Sequence, residues 1–587
     1  MLTTHSLSAE AFLDLAGGTG DSVVVTQLRE AQRSKHLMLL YVVSQAAHSA
    51  DPPSPASAAF RAGYQLLVKA QAADPDIVGR LLCLPHFGGW AHDCLAALDN
   101  GSPPDLGHLA AVAAAAAVRS GIRFELDIPV RDGRAPLPGL GCLQVADQGE
   151  WIKLSSDGER LRAGEHVDVP CAALVPDDGS GGTVPHWQGT PLIRAEADGQ
   201  VWEVLLEAAD QYLDRFTLPM LTSVTAADVT SWRQRIQAAW ELLVRHHKWA
   251  AEPIAEGVSV IVPLAPRSDH DSATSPAAFG AIATSLPSSA VTLAETLVHE
   301  FQHIKLCGLL DMFPLMERSD KRGYAPWRDD PRPLGGILQG IYAFTGIVRF
   351  WDAQRLVETE PGAVLHAHVL YERWRLAIDL AVGFLLDKGP LTADGVRFVT
   401  VLGERGQRGE SGPVPAEAGE IAREVALDHW LTWQLMHTAV DPARTDDLAS
   451  AYQRGEPRGD QALPEARIEE DNRGIDSIIR SRLLNMRFQE PARYRQLSAT
   501  DIPGLRPADT LLVRGDTDAA VAAYRTALTG GPDPAAWIGL ALAIHRLPSP
   551  PSLAVFASCL PVLFELHACL AARGIGVDPL ELAAWFE

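Results

Sequence analysis

The hydrophobic period of this chain switches twice, and each switch restricts the element a segment can form. From residue 7 to about 120 apolar side chains recur at helical spacing, as in LREAQRSKHLMLLYVVSQA. The Ala-rich DLGHLAAVAAAAAVRSG continues the pattern and ends at Gly121 as a helix cap. IRFELDIPV (122–130) then alternates as a strand, RDGR supplies a turn, and EWIKL and QVWEVLL keep the two-residue period. Residues 122–207 are therefore expected to be β-rich, interrupted by the loop PDDGSGGT at 176–183. Helical spacing returns at about 226 with AADVTSWRQRIQAAWELLVRHHKWA. Its adjacent His246 and His247 point about 100° apart and read as surface or helix-end residues.

The expected fold class is α+β, mostly helical, in four regions: helical 1–121, a small β-rich unit 122–225, a catalytic domain 226–500 and a helical cap 501–587. A chain of 587 residues is too long for one core, in keeping with roughly three or four domains. Within the third region VSVIVPLAP and FGAIATSLP read as strands, the second as the edge strand against which a zincin lays a peptide. Two amphipathic helices follow at 334–390, a polar loop at 403–419, and the helix AGEIAREVALDHWLTWQLMHTAV. In the tail, 508–547 resembles one tetratricopeptide-type helical hairpin with Tyr524 and Trp537 in its packing positions.

Formal charge of -23 with scattered Lys and Arg argues against a nucleic-acid partner, because phosphate binding needs a positive field. The seven cysteines form no C-x-x-C pair, which fits a reducing compartment and excludes an obvious zinc ribbon or iron–sulfur site. No basic start with an apolar stretch opens the N-terminus, and no segment reaches about 18 uninterrupted apolar residues. A cytoplasmic protein without a membrane partner is expected.

The chemistry concentrates in TLAETLVHEFQHIKLCGLLD (292–311), where His299, Glu300 and His303 spell H-E-x-x-H. Residues four apart on a helix share one face, about 6 Å apart along the axis, so both imidazoles can converge on one ion. Glu300, about a quarter turn away, can orient a bound water or substrate group. Ser288 and Ser289 are candidate N-caps, and Thr292 with Glu295 has capping-box spacing. With 19 histidines in the chain the string could arise by accident, and its place on a capped helix after two strands argues for a metal site. His366, His368, His429 and His437 read as core or surface residues instead.

A third ligand is harder to assign. The first carboxylate after Gly308 is Asp311, and Gly-x-x-Asp is a turn-and-ligand arrangement; if the helix continues unbroken, Asp311 lies about 12 Å beyond His303, cannot reach the ion, and reads as a helix-end cap or salt-bridge partner. Glu317, Asp352 and Glu372 are the other candidates.

TLVHEFQHIKLCGLLDMFPL and YAPWRDDPRPLGGILQGIYAFTGIVRFW together resemble the HEXXH-motif domain of peptide-modification proteins, often fused behind radical SAM peptide maturases. The resemblance extends to LSAEAFLDLAGGTGDSVVVTQLREAQRSKHLMLL, to HLAAVAAAAAVRSGIRFELDIPVRDGRAPLPGLG and to AWIGLALA near the end, in the family's order. No radical SAM cysteine cluster precedes it, as expected of a free-standing version. The resemblance implies Fe(II), α-ketoglutarate and O2 as cofactors, and Cβ-hydroxylation of a ribosomally made precursor peptide. A radical SAM maturase acting on the same peptide is an implied partner. His299 and His303 with one carboxylate, Asp311 the first choice, would form a facial triad. Arg328 and Arg332 in PWRDDPR would anchor the distal carboxylate of the 2-oxo acid, since Arg makes two parallel bonds there; a surface loop with Arg–Asp pairs is the alternative.

Spacing alone does not choose iron over zinc. A zinc peptidase with Glu300 as general base is the first rival. A non-catalytic peptide-binding partner of a maturation complex is the second.

Overall fold

In the computed structural model the described residues are 5–49, 54–145, 149–164, 167–176, 185–266, 271–406, 412–458, 466–469, 478–549 and 553–586. The chain is mostly helical with several small sheets. It forms two compact units, Met1–Leu315 and Met316–Glu587. The motif helix belongs to the first; Arg328 and Arg332 belong to the second.

The first unit begins with the expected helices, among them Ser22–Ser49, Pro55–Ala73 and His108–Arg119. Every residue from His108 to Val118 is buried. A helix apolar all round needs cover on every side, so this one forms the middle of the N-terminal core. Gly121 follows it at φ +63°, the left-handed conformation that the sequence reading asks of it. Gly63 lets helix Pro55–Ala73 close on it: a Cβ there would stand 2.7 Å from the Ala110 Cα.

Strands from Phe124 to Gly189 build a four-stranded and a three-stranded sheet. The rest of the β-rich region does not stay with them. Leu192–Ala197 and Gln200–Leu206 enter a five-stranded sheet ordered Ser272–Ala273, Ala281–Thr284, Val260–Pro263, Gln200–Leu206, Leu192–Ala197. Gln200–Leu206 pairs parallel to Val260–Pro263, which requires a long crossover, and helices Ala226–His246 and Lys248–Gly257 supply it. Val260–Pro263 and Ala281–Thr284 are buried at every position, as parallel strands covered on both faces must be.

Two local expectations are corrected. Ala281–Thr284, within FGAIATSLP, is an inner strand, parallel to Val260–Pro263 and antiparallel to Ser272–Ala273; the two-residue Ser272–Ala273 is the edge. His247 takes the helix-end alternative, as C-cap of Ala226–His246, but is fully buried and not on the surface, because the two crossover helices meet there. The loop at 176–183 lies, past Pro176, outside the described residues.

In the second unit the two amphipathic segments become helices Leu334–Gln354 and Pro361–Lys388. The 403–419 stretch is helical at both ends, in Ala393–Gly406 and from Ala416, with 407–411 outside the described residues. Helix Ala416–His437 stops before Thr438–Ala439–Val440, which forms a strand pair with Ala466–Ile468 instead of a last helical turn. The tail hairpin is Thr517–Leu528 with Pro534–His545; Tyr524 and Trp537 are fully buried in it. Helix Leu553–Ala572 is long and apolar enough to cross a membrane by composition. Its Phe556, Leu560, Leu563 and Leu566 are fully buried in the core that contains Trp537.

Candidate functional site

The motif sits on helix Ala290–Leu310, whose first turn is capped by Ser289: its Oγ accepts from the Thr292 N–H at 3.0 Å. Thr292 and Glu295 do not form the expected capping box, because Ser289 already holds that turn. The helix packs on the crossover helix Ala226–His246 and on strands Ser272–Ala273 and Ala281–Thr284. Gln302 and Lys305 donate to the carbonyls of Gly18 (2.9 Å) and Thr19 (2.7 Å), fastening the helix to an N-terminal turn. Gly257 lets Phe301 of the motif helix approach: a Cβ there would lie 2.4 Å from the ring.

His299 and His303 lie side by side, ring centroids 4.9 Å apart and planes at 77°. Both are partly buried. Burial, with the charge of His303 next, pushes the His299 pKa down to about 3, so this ring is neutral near pH 7 and has a lone pair to give. Glu300 is 3% exposed, and its Oε1 accepts from the Ser272 hydroxyl at 2.7 Å. Burial pushes its carboxyl above the usual range against the pull of His303 and of the Ser272 and Thr274 hydroxyls. The edge strand is thus tied to the motif helix through the motif's own carboxylate.

Asp311 is not brought to the histidines. The helix runs unbroken through Leu310 with Asp311 as its C-cap residue, about 12 Å along the axis from His303. Its Oδ2 accepts from Gln32 Nε2 at 2.7 Å and from Lys35 Nζ at 2.9 Å. Of the alternatives, Asp352 pairs with Arg355 at 2.7 Å and Glu372 with Arg375 at 2.9 Å in the second unit, while Glu317 offers its backbone N–H to Pro390. Among the described residues no group of three His, Cys, Asp or Glu is placed to hold a metal. The two imidazoles stand side by side, and among the described residues no third His, Cys, Asp or Glu joins them.

Arg328 and Arg332 both pair with Asp330, at 3.0 and 3.1 Å, and Arg328 is 55% exposed. The remaining histidines have other contacts: His366 with the Phe488 ring, His368 with Arg355, His429 with the Tyr324 hydroxyl and His437 with the Glu469 carbonyl. Sequence reading missed Ser272. Nothing local marks it, since it meets Glu300 only through a contact 28 residues long.

No protein-family model matches the chain, and no curated protein sequence matches it.

Proposed function

We propose that the first unit carries a non-haem Fe(II) and α-ketoglutarate-dependent hydroxylase centre that acts on side chains of a ribosomally made precursor peptide in the cytoplasm. The observation that carries this reading is the Ser272–Glu300 hydrogen bond. That bond fastens the edge strand of the sheet to the helix that carries His299 and His303. His299 and His303 would hold the metal, and bound iron with a 2-oxo acid and O2 would supply the oxidant for C–H hydroxylation. Strand Ser272–Ala273 ends its sheet, so an extended peptide can add beside it by backbone pairing. Arg328 and Arg332, expected to anchor the 2-oxo acid, pair instead with Asp330 inside the second unit.

The same edge strand is where a zinc peptidase would lay its substrate, so that reading stays as the second. Aerobic incubation with ferrous iron, α-ketoglutarate and a candidate peptide separates them by mass spectrometry. A gain of one oxygen supports the hydroxylase; cleavage with zinc and no oxygen gain replaces it with the peptidase.

A further inference from the structure

Within the second unit the helices leave a cavity of about 420 Å³. That lies in the range, roughly 300–1,000 Å³, of pockets that hold small organic molecules. Its floor is one face of helix Ala416–His437, presented at the three- and four-residue spacing of Ile421, Val425, Asp428, Thr432 and Met436. Leu483, Leu484, Leu512, Val513 and Leu542 make the opposite side apolar.

The charged groups in the wall are almost all matched. Glu424 holds Arg546 through two bonds of 2.6 and 2.8 Å, Arg480 reaches Asp428 at 2.5 Å, and Arg487 reaches Glu417 at 3.5 Å. Tyr524 donates to Asp509 at 2.5 Å, and Asp329 stands 3.5 Å from His429. Arg373 is the exception. Its guanidinium lies 4.3 Å from the centroid of the Trp374 ring and makes no hydrogen bond or ion pair with a described residue. Burial depresses its pKa, while Tyr324, Asp428 and Asp329 act on it only at a distance. A second donor in the wall, the buried indole N–H of Trp433, also has no acceptor among the described residues.

Arg373 is partly buried at the cavity wall, and a cation held there without an acceptor is open to a ligand that supplies one. Both open groups are donors, so the missing piece is an acceptor. We infer that this cavity binds an amphipathic carboxylate, its head group on Arg373 and its apolar body against the leucine-lined wall. A carboxylate suits the site better than a phosphate monoester. One guanidinium neutralises one charge bidentately, and a second negative charge would face Asp329 and Asp428.

The test is titration of the full chain with octanoate, followed by tryptophan fluorescence and calorimetry, with 1-octanol and octyl phosphate as comparisons. Octanoate should bind once per chain and at least tenfold more tightly than octanol. Arg373→Gln should weaken octanoate at least tenfold, leave octanol unchanged and leave the melting temperature equal or higher. Equal binding of octanoate and octanol, or undiminished octanoate binding by Arg373→Gln, overturns the inference. Tighter binding of octyl phosphate overturns the choice of head group. Should Arg373→Gln fail to fold, Val425→Phe fills the apolar end without touching the guanidinium; loss of octanoate binding upholds the site and unchanged binding removes it.

Discussion

Replacing Glu300 by Gln separates what the carboxylate does for the fold from what it does for chemistry. The side chain is 3% exposed, and it accepts from Ser272 at 2.7 Å. An ionised carboxylate in such a place costs several kcal/mol in lost hydration. A charge-assisted hydrogen bond returns about 1.5–3 kcal/mol, and the Gln amide oxygen keeps a neutral bond worth about 1 kcal/mol. The metal-free Glu300→Gln protein should therefore be more stable than wild type by about 1–3 kcal/mol at pH 7. The sign follows from the raised carboxyl pKa. The folded state holds its proton more tightly than the unfolded one, so wild-type stability is full below the unfolded value near ~4.3 and falls as pH rises toward the folded value. The advantage of Gln should vanish near pH 4 and grow toward pH 8. Hydrogen exchange of the amides in helix Ala290–Leu310, in EDTA from pH 4 to 8, measures it locally. A variant less stable than wild type at pH 8 would refute the reasoning, because it would mean that a cation compensates the charge in place. With iron restored, an oxygenase should lose about 10–100-fold in activity, as for other groups behind a metal ligand. A peptidase would lose its base, and with it several orders of magnitude.

Three further outcomes are expected. His303→Ala, or His299→Ala, should abolish retention of one divalent metal per chain while circular dichroism is unchanged; undiminished metal in either by elemental analysis removes the centre. Asp311→Asn should leave metal content intact and cost about 0.5–1 kcal/mol in a urea titration, since it weakens the bonds that the partly exposed carboxylate accepts from Gln32 and Lys35. Loss of the metal would restore Asp311 as a ligand. Gly257→Ala should cost about 1–3 kcal/mol in thermal unfolding and weaken metal binding, because its Cβ must displace the Phe301 ring from 2.4 Å; a neutral effect would show that the motif helix yields there.

What the sequence made legible was short-range: the capped motif helix, the two buried strands before it, the all-apolar helix that ends at Gly121 and the tail hairpin each carry their signal within one element. The rest depends on partners far along the chain. Asp311 reads as a candidate ligand because the Gly308–Asp311 spacing looks like a turn, yet the helix continues, and the carboxylate meets Lys35 across 276 residues of sequence. The edge of the motif sheet is only two residues long, too short to show an alternating pattern, so the stronger apolar run Ala281–Thr284 takes its place in a sequence reading. The face of Ala416–His437 poses the opposite problem. Its period is plainly helical, but whether such a face meets another helix or open space depends on residues from 327 to 546. One cue was present all the same: Arg373 stands beside Trp374 on a long amphipathic helix, and neither Glu372, which turns to Arg375, nor any other described acidic side chain takes it as an ion-pair partner. A partly buried arginine without an acid partner, in a wall of otherwise matched charges, is where a ligand can supply the acceptor. The acceptor that would satisfy it is supplied from outside the described residues, which is why the titration with octanoate, and not a stability measurement alone, decides its role.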